Sequence, residues 1–280
     1  MTFEQMHGKK NIGSSRIRAD WLIEKWGTDE RSTAERFKQG GKYDVVIFQK
    51  AYWLEYAKAF KGIKILDLCD PDWLDWNTPL VQMIQEVDAI TCSTQAICDF
   101  VSNLTEKPVK LIKDRINLDT LPKNKKQHVG TATKIAWFGY DTNQAMLSQA
   151  IPVLIEKKMS LVVISNKPYH LKPLDRKNLE LKNYAWGKDT VDLDLLTADI
   201  VINPKKDTGK WKYKSDNKTI HAWSLGIPVA HNDTELKSFM SEESRKKESE
   251  KRLEQVYKDY DVLESVEEMK NLIYFLHEGI

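Results

Sequence analysis

Ala198-Asp199-Ile200-Val201-Ile202-Asn203-Pro204 and, after a lysine-rich loop, Lys214-Ser215-Asp216-Asn217-Lys218-Thr219-Ile220-His221-Ala222-Trp223-Ser224-Leu225-Gly226-Ile227-Pro228-Val229-Ala230 decide how this chain folds. The first piece is a short β-branched run closed by proline, which reads as a buried strand. The second reads as a helix over Ile220–Leu225, stopped by Gly226 and Pro228, with another short strand in Pro228–Ala230. Strand, loop, helix and strand in that order are one parallel crossover unit.

The same alternation extends outward in both directions. Lys134–Gly139, Leu161–Ser165, Asn183–Trp186, Ile200–Asn203 and Pro228–Ala230 read as strands of one Rossmann-like unit. Val45–Phe48, Ile63–Leu68, Ala89–Cys92 and Val109–Ile112 read as strands of another. Gly13 to Trp26 carries Ile17, Trp21 and Leu22 at helical spacing, and Ser93-Thr94-Gln95 offers hydroxyl caps for a helix through Val101. The polar run Lys123–Thr131 reads as a linker. The expected organisation is therefore a domain over 1–125, a second over 132–240, and a helical tail over 241–280.

Composition agrees with a folded α/β protein. The chain has 280 residues, more than one core usually organises, with 30% charged and 41% hydrophobic residues. A formal net charge of +2 confines any attraction to polyanions to a local patch. No apolar run is long enough to span a bilayer, and Met1-Thr2-Phe3-Glu4-Gln5 lacks the apolar core of a secretion signal, so a cytoplasmic protein is expected. Cys69, Cys92 and Cys98 have neither even number nor CxxC spacing and read as buried thiols. The six histidines lack metal-ligand spacing, so no metal site is expected.

In open parallel sheets, ligands sit beyond the carboxyl ends of the strands, which directs attention to four loops: Gly8–Arg18, Asp67–Trp76, Gly139–Asn143 and Pro204–Lys218. None holds GxGxxG or GxxxxGK[ST], which counts against a dinucleotide oxidoreductase and a P-loop phosphotransferase. Lys214, Ser215 and Lys218 stand where the Ile220–Leu225 helix begins, and free N–H groups there suit an anion. A solvated basic loop with Ser215 or Asp216 capping the helix reads the same residues without a ligand. Asp70-Pro71-Asp72 reads as a turn whose aspartate caps a helix, or as a group that orients a hydroxyl.

These motifs, in this order, resemble the GT-B-fold glycosyltransferases, particularly family-4-like ones. Ala198–Pro204 followed by KSDNKTIHAWSLGIPVA is similar to their donor-binding strand and helix. Gly13-Ser14-Ser15-Arg16-Ile17-Arg18 resembles the loop opening their acceptor domain. Ala89–Thr94 resembles their strand and turn at that point, and Gly139-Tyr140 with Asn143 resembles the first donor-domain loop. The resemblance covers roughly residues 8 to 240. It implies two Rossmann-like domains facing across a cleft, with C-terminal helices packing back on the first.

Function and site residues follow from the resemblance as expectations. The implied reaction moves a sugar from a nucleotide-sugar donor to an acceptor hydroxyl, with no metal and no cofactor besides the donor. Lys214, Ser215, Asn217 and Lys218 would meet the donor phosphates, Gly13 and Arg16 would approach from the opposite domain, Gly139 and Asn143 would complete the site, and Arg16, Lys218 and, on the acceptor side, Asp70 would be the catalytic residues. Trp186 would wall the nucleobase, or is simply core. The paired glutamates of retaining members align with Tyr213 and His221, which leaves His221 as a ribose contact or an ordinary helix histidine. The acceptor stays open among a glycan, a lipid-linked sugar, a small molecule and modified DNA. DNA is suggested by Lys205, Lys206, Lys210 and Lys212 interleaved with Trp211. A protein that binds nucleotide sugars without catalysis is the remaining alternative.

Overall fold

A computed structural model of the chain describes residues 2–5, 13–27, 32–75, 77–204 and 208–279. Gly8, Trp76, Lys205 and Lys206 therefore lie outside the described residues. The chain divides into two units. The first comprises Met1–Asn117, Asp207–Asp216 and Asp261–Ile280, and the second Leu118–Lys206 and Asn217–Tyr260.

The first unit holds a parallel sheet of β1 (Thr2–Gln5), β2 (Glu35–Arg36), β3 (Val45–Gln49), β4 (Ile63–Leu68), β5 (Ala89–Cys92) and β6 (Val109–Leu111). The strand order is β2-β1-β3-β4-β5-β6. β4 and β5 have the bounds that their β-branched runs predict, while β1 is a strand that the sequence reading did not expect. Val46, Phe48, Leu66, Leu68, Ile90 and Cys92 share one face, packed by Met83, Ile84, Ile97 and Val101 from crossover helices. Ile47 and Ile65 between them are buried too, as they must be when helices cover both faces of a parallel sheet. Thr94 caps the Gln95–Ser102 helix, its hydroxyl accepting from the Ile97 amide at 3.3 Å. The stretch Gly13–Lys25 is helical throughout, with a π-helical turn over Arg16–Asp20.

The second unit holds β7 (Lys134–Phe138), β8 (Ser160–Ser165), β9 (Leu181–Ala185), β10 (Ile200–Ile202) and β11 (Val229–Ala230), all parallel, in the order β11-β10-β7-β8-β9. Side chains alternate strictly between two cores. Ile135, Trp137, Leu161, Val163, Ile200 and Ile202 enter one, and Ala136, Phe138, Val162, Ile164 and Val201 enter the other. Strand order reverses between β7 and β10, because β8 and β9 run outward on one side and β10 and β11 on the other. Such a reversal leaves a crevice at the carboxyl ends of the two strands.

The Asn217–Ser224 helix connects β10 to β11 and stops as its glycine predicts. Gly226 has φ +75°; its amide donates to Trp223 O at 2.8 Å and the Ile227 amide donates to Ala222 O at 3.0 Å. This is the Schellman arrangement. A Cβ on Gly226 would also come within 3.0 Å of Ser249 Oγ, so glycine admits the neighbouring helix as well.

The tail is helical, and its two helices belong to different units. Glu242–Asp259, capped by Ser241, packs on the Asn217–Ser224 helix, with the Arg252 guanidinium 4.1 Å from the Trp223 ring centre. Val262–Glu278 packs on the Trp21–Lys25 helix of the first unit. There Arg115 holds Glu268 in a bidentate pair, with both bonds at 2.7 Å, and donates to Ser265 Oγ at 2.9 Å. The division between the units falls at Asn117/Leu118. The polar run Lys123–Thr131 is bonded into the second unit, Lys126 N to Leu225 O at 2.8 Å and His128 Nε2 to Gly226 O at 2.9 Å.

Candidate functional site

At the strand reversal of the second unit, Gly139 follows β7 and Asn203 follows β10. Gly139 has φ +150°, a conformation that L residues with a side chain rarely adopt. A Cβ there would lie 3.2 Å from the Trp137 ring and 3.4 Å from Lys218 Nζ. Lys218, in the first turn of the Asn217–Ser224 helix, has its ammonium 5.2 Å from the Trp137 ring centre. The cation, the open backbone of Gly139 and the start of the helix therefore meet at one place. The helix is tied to the end of β10, since Asn203 Nδ2 donates to Thr219 Oγ1 at 3.1 Å, while the Asn203 carbonyl accepts from Nδ1 of His231, just after β11, at 2.8 Å.

His221 lies one turn further along. Its Nε2 is 2.6 Å from Asp192 Oδ1, and its ring stands edge-on to Phe138 with centroids 5.5 Å apart. Sequence reasoning missed Asp192: it is on another helix, 29 residues away, and nothing local marks it. A neutral histidine that donates from Nε2 presents Nδ1 as an acceptor, which suits a hydroxyl group.

The first unit carries a separate cluster of charges at the carboxyl ends of its strands. Arg18 is buried and donates to both carboxylate oxygens of Asp67, at 3.1 and 2.5 Å, to Ile112 O at 2.5 Å and to Asp114 Oδ1 at 3.4 Å. Thr91 Oγ1 adds a third bond to Asp67 at 2.7 Å. Burial works against the Arg18 charge, but Asp67 and Asp114 more than offset it and keep the guanidinium protonated. Lys50, with φ +52° at the end of β3, pairs with Asp70 Oδ2 at 2.7 Å and Asp72 Oδ1 at 3.2 Å.

Asp70 and Asp72, two residues apart, differ sharply. Burial raises the Asp70 carboxyl, but Lys50 and Lys214 overcome it and hold the group below its ordinary value. Burial dominates at Asp72, pushing it up to about 6 against the pull of Lys50. Asp114 is likewise raised by burial, with Arg18 opposing.

Comparison with known proteins gives a fold and no sequence family. Neither a family model nor a curated protein matches the chain. Among solved structures, HepE of Anabaena in complex with UDP superposes with a TM-score of 0.67 at 12% identity, covering 98% of this chain and 100% of that one. The lipopolysaccharide outer core galactosyltransferase WaaB gives 0.64 at 9% identity, covering 98% of each. TarM gives 0.60 at 13% identity over 82% of this chain and 54% of its own, so the chain spans about half the length of TarM. All three are GT-B glycosyltransferases.

The chain has the GT-B fold. Within that GT-B framework the residues read from sequence fall into two groups. Gly139 follows β7, and Lys218 and His221 stand on the Asn217–Ser224 helix of the second unit, with Asn217 opening that helix. Asn143 is half-buried in the 3₁₀ turns of Asp141–Gln149, its amide donating to Tyr140 O at 2.9 Å. Trp186 is half-buried after β9 and packs partly on the second core, its amide donating to Ser165 O at 3.0 Å.

Lys214 and Ser215 are grouped with the first unit. Lys214 Nζ contacts Asp70 Oδ1 at 2.5 Å, and Ser215 Oγ donates to Asp114 Oδ2 at 2.5 Å. Gly13 opens the helical stretch with open space at its Cα, and the Arg16 guanidinium lies 5.4 Å from the Trp21 ring centre. The buried arginine of that stretch is Arg18, which the sequence reading did not single out. Of the lysines suggested for DNA, Lys210 pairs with Asp75, both oxygens at 3.3 Å, and Lys212 lies 5.9 Å from the Tyr213 ring centre. Among the described residues no group of three or more His, Cys, Asp and Glu stands together as a metal site. Nor is any described helix long and apolar enough to cross a membrane.

Proposed function

We propose that this chain is a glycosyltransferase whose nucleotide-sugar donor binds at the carboxyl ends of β7 and β10. The observation that carries the reading is the meeting of Lys218, Gly139 and the start of the Asn217–Ser224 helix at the strand reversal of the second unit. A diphosphate set there gains the N–H groups of the helix start and the Lys218 ammonium together, while Gly139 lets it approach the backbone. HepE, of similar fold, was solved with UDP, and that supports a nucleoside diphosphate as the ligand class.

When the sugar departs, negative charge grows on the diphosphate. Donors already aimed at that charge stabilise it without reorganising, which lowers the barrier to transfer. This reading gives the neutralising work to Lys218 and the helix rather than to a metal ion. It gives His221, its ring held by Asp192, the ribose hydroxyls.

Calorimetry with UDP and other nucleoside diphosphates, with EDTA and then with magnesium or manganese, tests both parts. Binding that survives EDTA, followed by sugar transfer or donor hydrolysis with a panel of nucleotide sugars, is expected. No nucleoside diphosphate bound under either condition would overturn the function. Binding only with the divalent ion would overturn its metal independence.

A further inference from the structure

The crossover from β8 to β9, residues 166–180, carries a single 3₁₀ turn, Asp175–Lys177, where such connections usually carry a helix. Leucines fix it to the second unit. Leu171 and Leu179 are buried in the core with Trp137, Leu161 and Val163. Tyr169 is held to β9 by Asn183, whose side chain accepts from its amide at 2.8 Å and donates to its carbonyl at 3.1 Å. Between those anchors the chain turns tightly. The Asp175 and Arg176 amides donate to Lys172 O at 3.0 and 3.2 Å, Arg176 Nε donates to Leu171 O at 3.0 Å, and Asn178 Nδ2 donates to Leu174 O at 3.3 Å.

Leu174 stands in that turn, 80% exposed, more than any other large apolar side chain among the described residues. Folding buries the leucines on either side and leaves this one in water. Lys172, Arg176 and Lys177 flank it, all exposed, and among the described residues no acid pairs with Lys172 or Lys177. The crossover has four basic against two acidic residues, so it carries as much net charge as the +2 of the whole chain. Next to the turn, a cavity of about 330 Å³ is lined by Leu171, Leu179 and Leu181 together with Arg176.

Cations around an exposed aliphatic side chain suit one kind of surface. Lysine and arginine are drawn to anionic headgroups, while leucine gains by entering the acyl boundary beneath them. A nucleic acid would use the cations and leave the leucine in water. We propose that the turn over residues 172–177 docks the second unit on an anionic lipid surface, with Leu174 entering the bilayer and Lys172, Arg176 and Lys177 meeting headgroup phosphates. The leucines of the adjoining cavity offer an acyl segment an apolar lining near Arg176. The inference uses no residue of the donor site and does not depend on the donor reading.

The test is co-sedimentation of the full chain with phosphatidylcholine vesicles, with and without phosphatidylglycerol. Binding is expected where the anionic lipid is present and should weaken at high salt. Lys172→Gln combined with Lys177→Gln should weaken it about tenfold to thirtyfold. Leu174→Ser should weaken it about tenfold and leave the urea unfolding midpoint where it is, because the side chain is exposed in the free chain. Lys247→Gln combined with Lys251→Gln removes the same charge from exposed positions of the Glu242–Asp259 helix and should leave binding nearly unchanged. Equal binding to vesicles without phosphatidylglycerol, wild-type binding by Leu174→Ser, or an equal loss from the Lys247 and Lys251 pair would overturn the proposal. So would binding to DNA with none to vesicles.

Discussion

The Lys218 ammonium lies against the Trp137 ring, 5.2 Å from its centre, beside Gly139, the residue that follows β7. A cation on an aromatic face is held by the ring's quadrupole, and here it stands in the first turn of a helix. A charge-assisted hydrogen bond to phosphate contributes about 1.5 to 3 kcal/mol, so Lys218→Met should weaken UDP binding about tenfold to a hundredfold. Uridine, lacking the phosphates, should bind to the variant as it does to wild type. Calorimetry with both ligands checks this; equal loss for the two would mean that Lys218 supports the site only through packing.

Gly139→Ala tests the backbone beside that lysine. The substitution forces a side chain into φ +150° and puts a methyl 3.2 Å from Trp137. Strained positions of this kind cost roughly 1 to 3 kcal/mol, and the methyl also crowds Lys218 Nζ. Urea unfolding should show the loss, with UDP affinity falling as well. A variant as stable as wild type would remove the argument that glycine is required there.

Arg18 and Arg16 are two residues apart and should behave very differently. Arg18→Met strands the Asp67 carboxylate, 1% exposed, without its cation, and removing one partner of a buried pair costs about 3 to 5 kcal/mol. Arg16→Met removes a half-buried group 5.4 Å from the Trp21 ring centre and strands no buried carboxylate of that kind, so a smaller loss than for Arg18→Met is expected. Comparing the two unfolding midpoints decides it, and similar losses would deny Arg18 its central place in the first unit.

These contrasts show where sequence is readable and where it is not. Ile63–Leu68 and Ala89–Cys92 were legible because a strand covered on both faces is a short, mostly apolar run, even with Lys64 and Asp67 in the first. The stop at Gly226 was legible because a helix end needs a residue that tolerates positive φ. Thr2–Gln5 carries no such pattern, and its strand character comes from pairing with β3, far along the chain. Lys218 was singled out because a helix start, which favours anions, can be read locally from the sequence. The Asp192 partner of His221, the Arg18–Asp67 pair and the Asp70–Lys214 pair join residues distant in sequence, so only folding brings them together. The lysines around Trp211 looked like free cations in sequence because the acids that engage Lys210 and Lys214, Asp75 and Asp70, stand 135 and 144 residues earlier in the chain.

Asp72 gives a pH-dependent prediction of definite sign. Its side chain is 4% exposed, and burial raises its carboxyl from 3.8 to about 6 even with Lys50 nearby. The native state therefore holds the proton more tightly than the unfolded chain. The stability gained from that preference is fully present below 3.8 and is lost as pH rises to about 6. Asp70, held below its ordinary value by Lys50 and Lys214, works in the opposite direction and loses its contribution as pH falls. Wild type alone mixes the two, but Asp72→Asn isolates one, because asparagine keeps the shape and cannot ionise. Between pH about 4 and 7 the variant should gain up to about 3 kcal/mol relative to wild type, at 1.36 kcal/mol per unit of pKa difference. Urea unfolding of both proteins across that range measures the difference directly. A difference that stays flat would show that Asp72 does not titrate in this window, and its burial would then need another compensating partner.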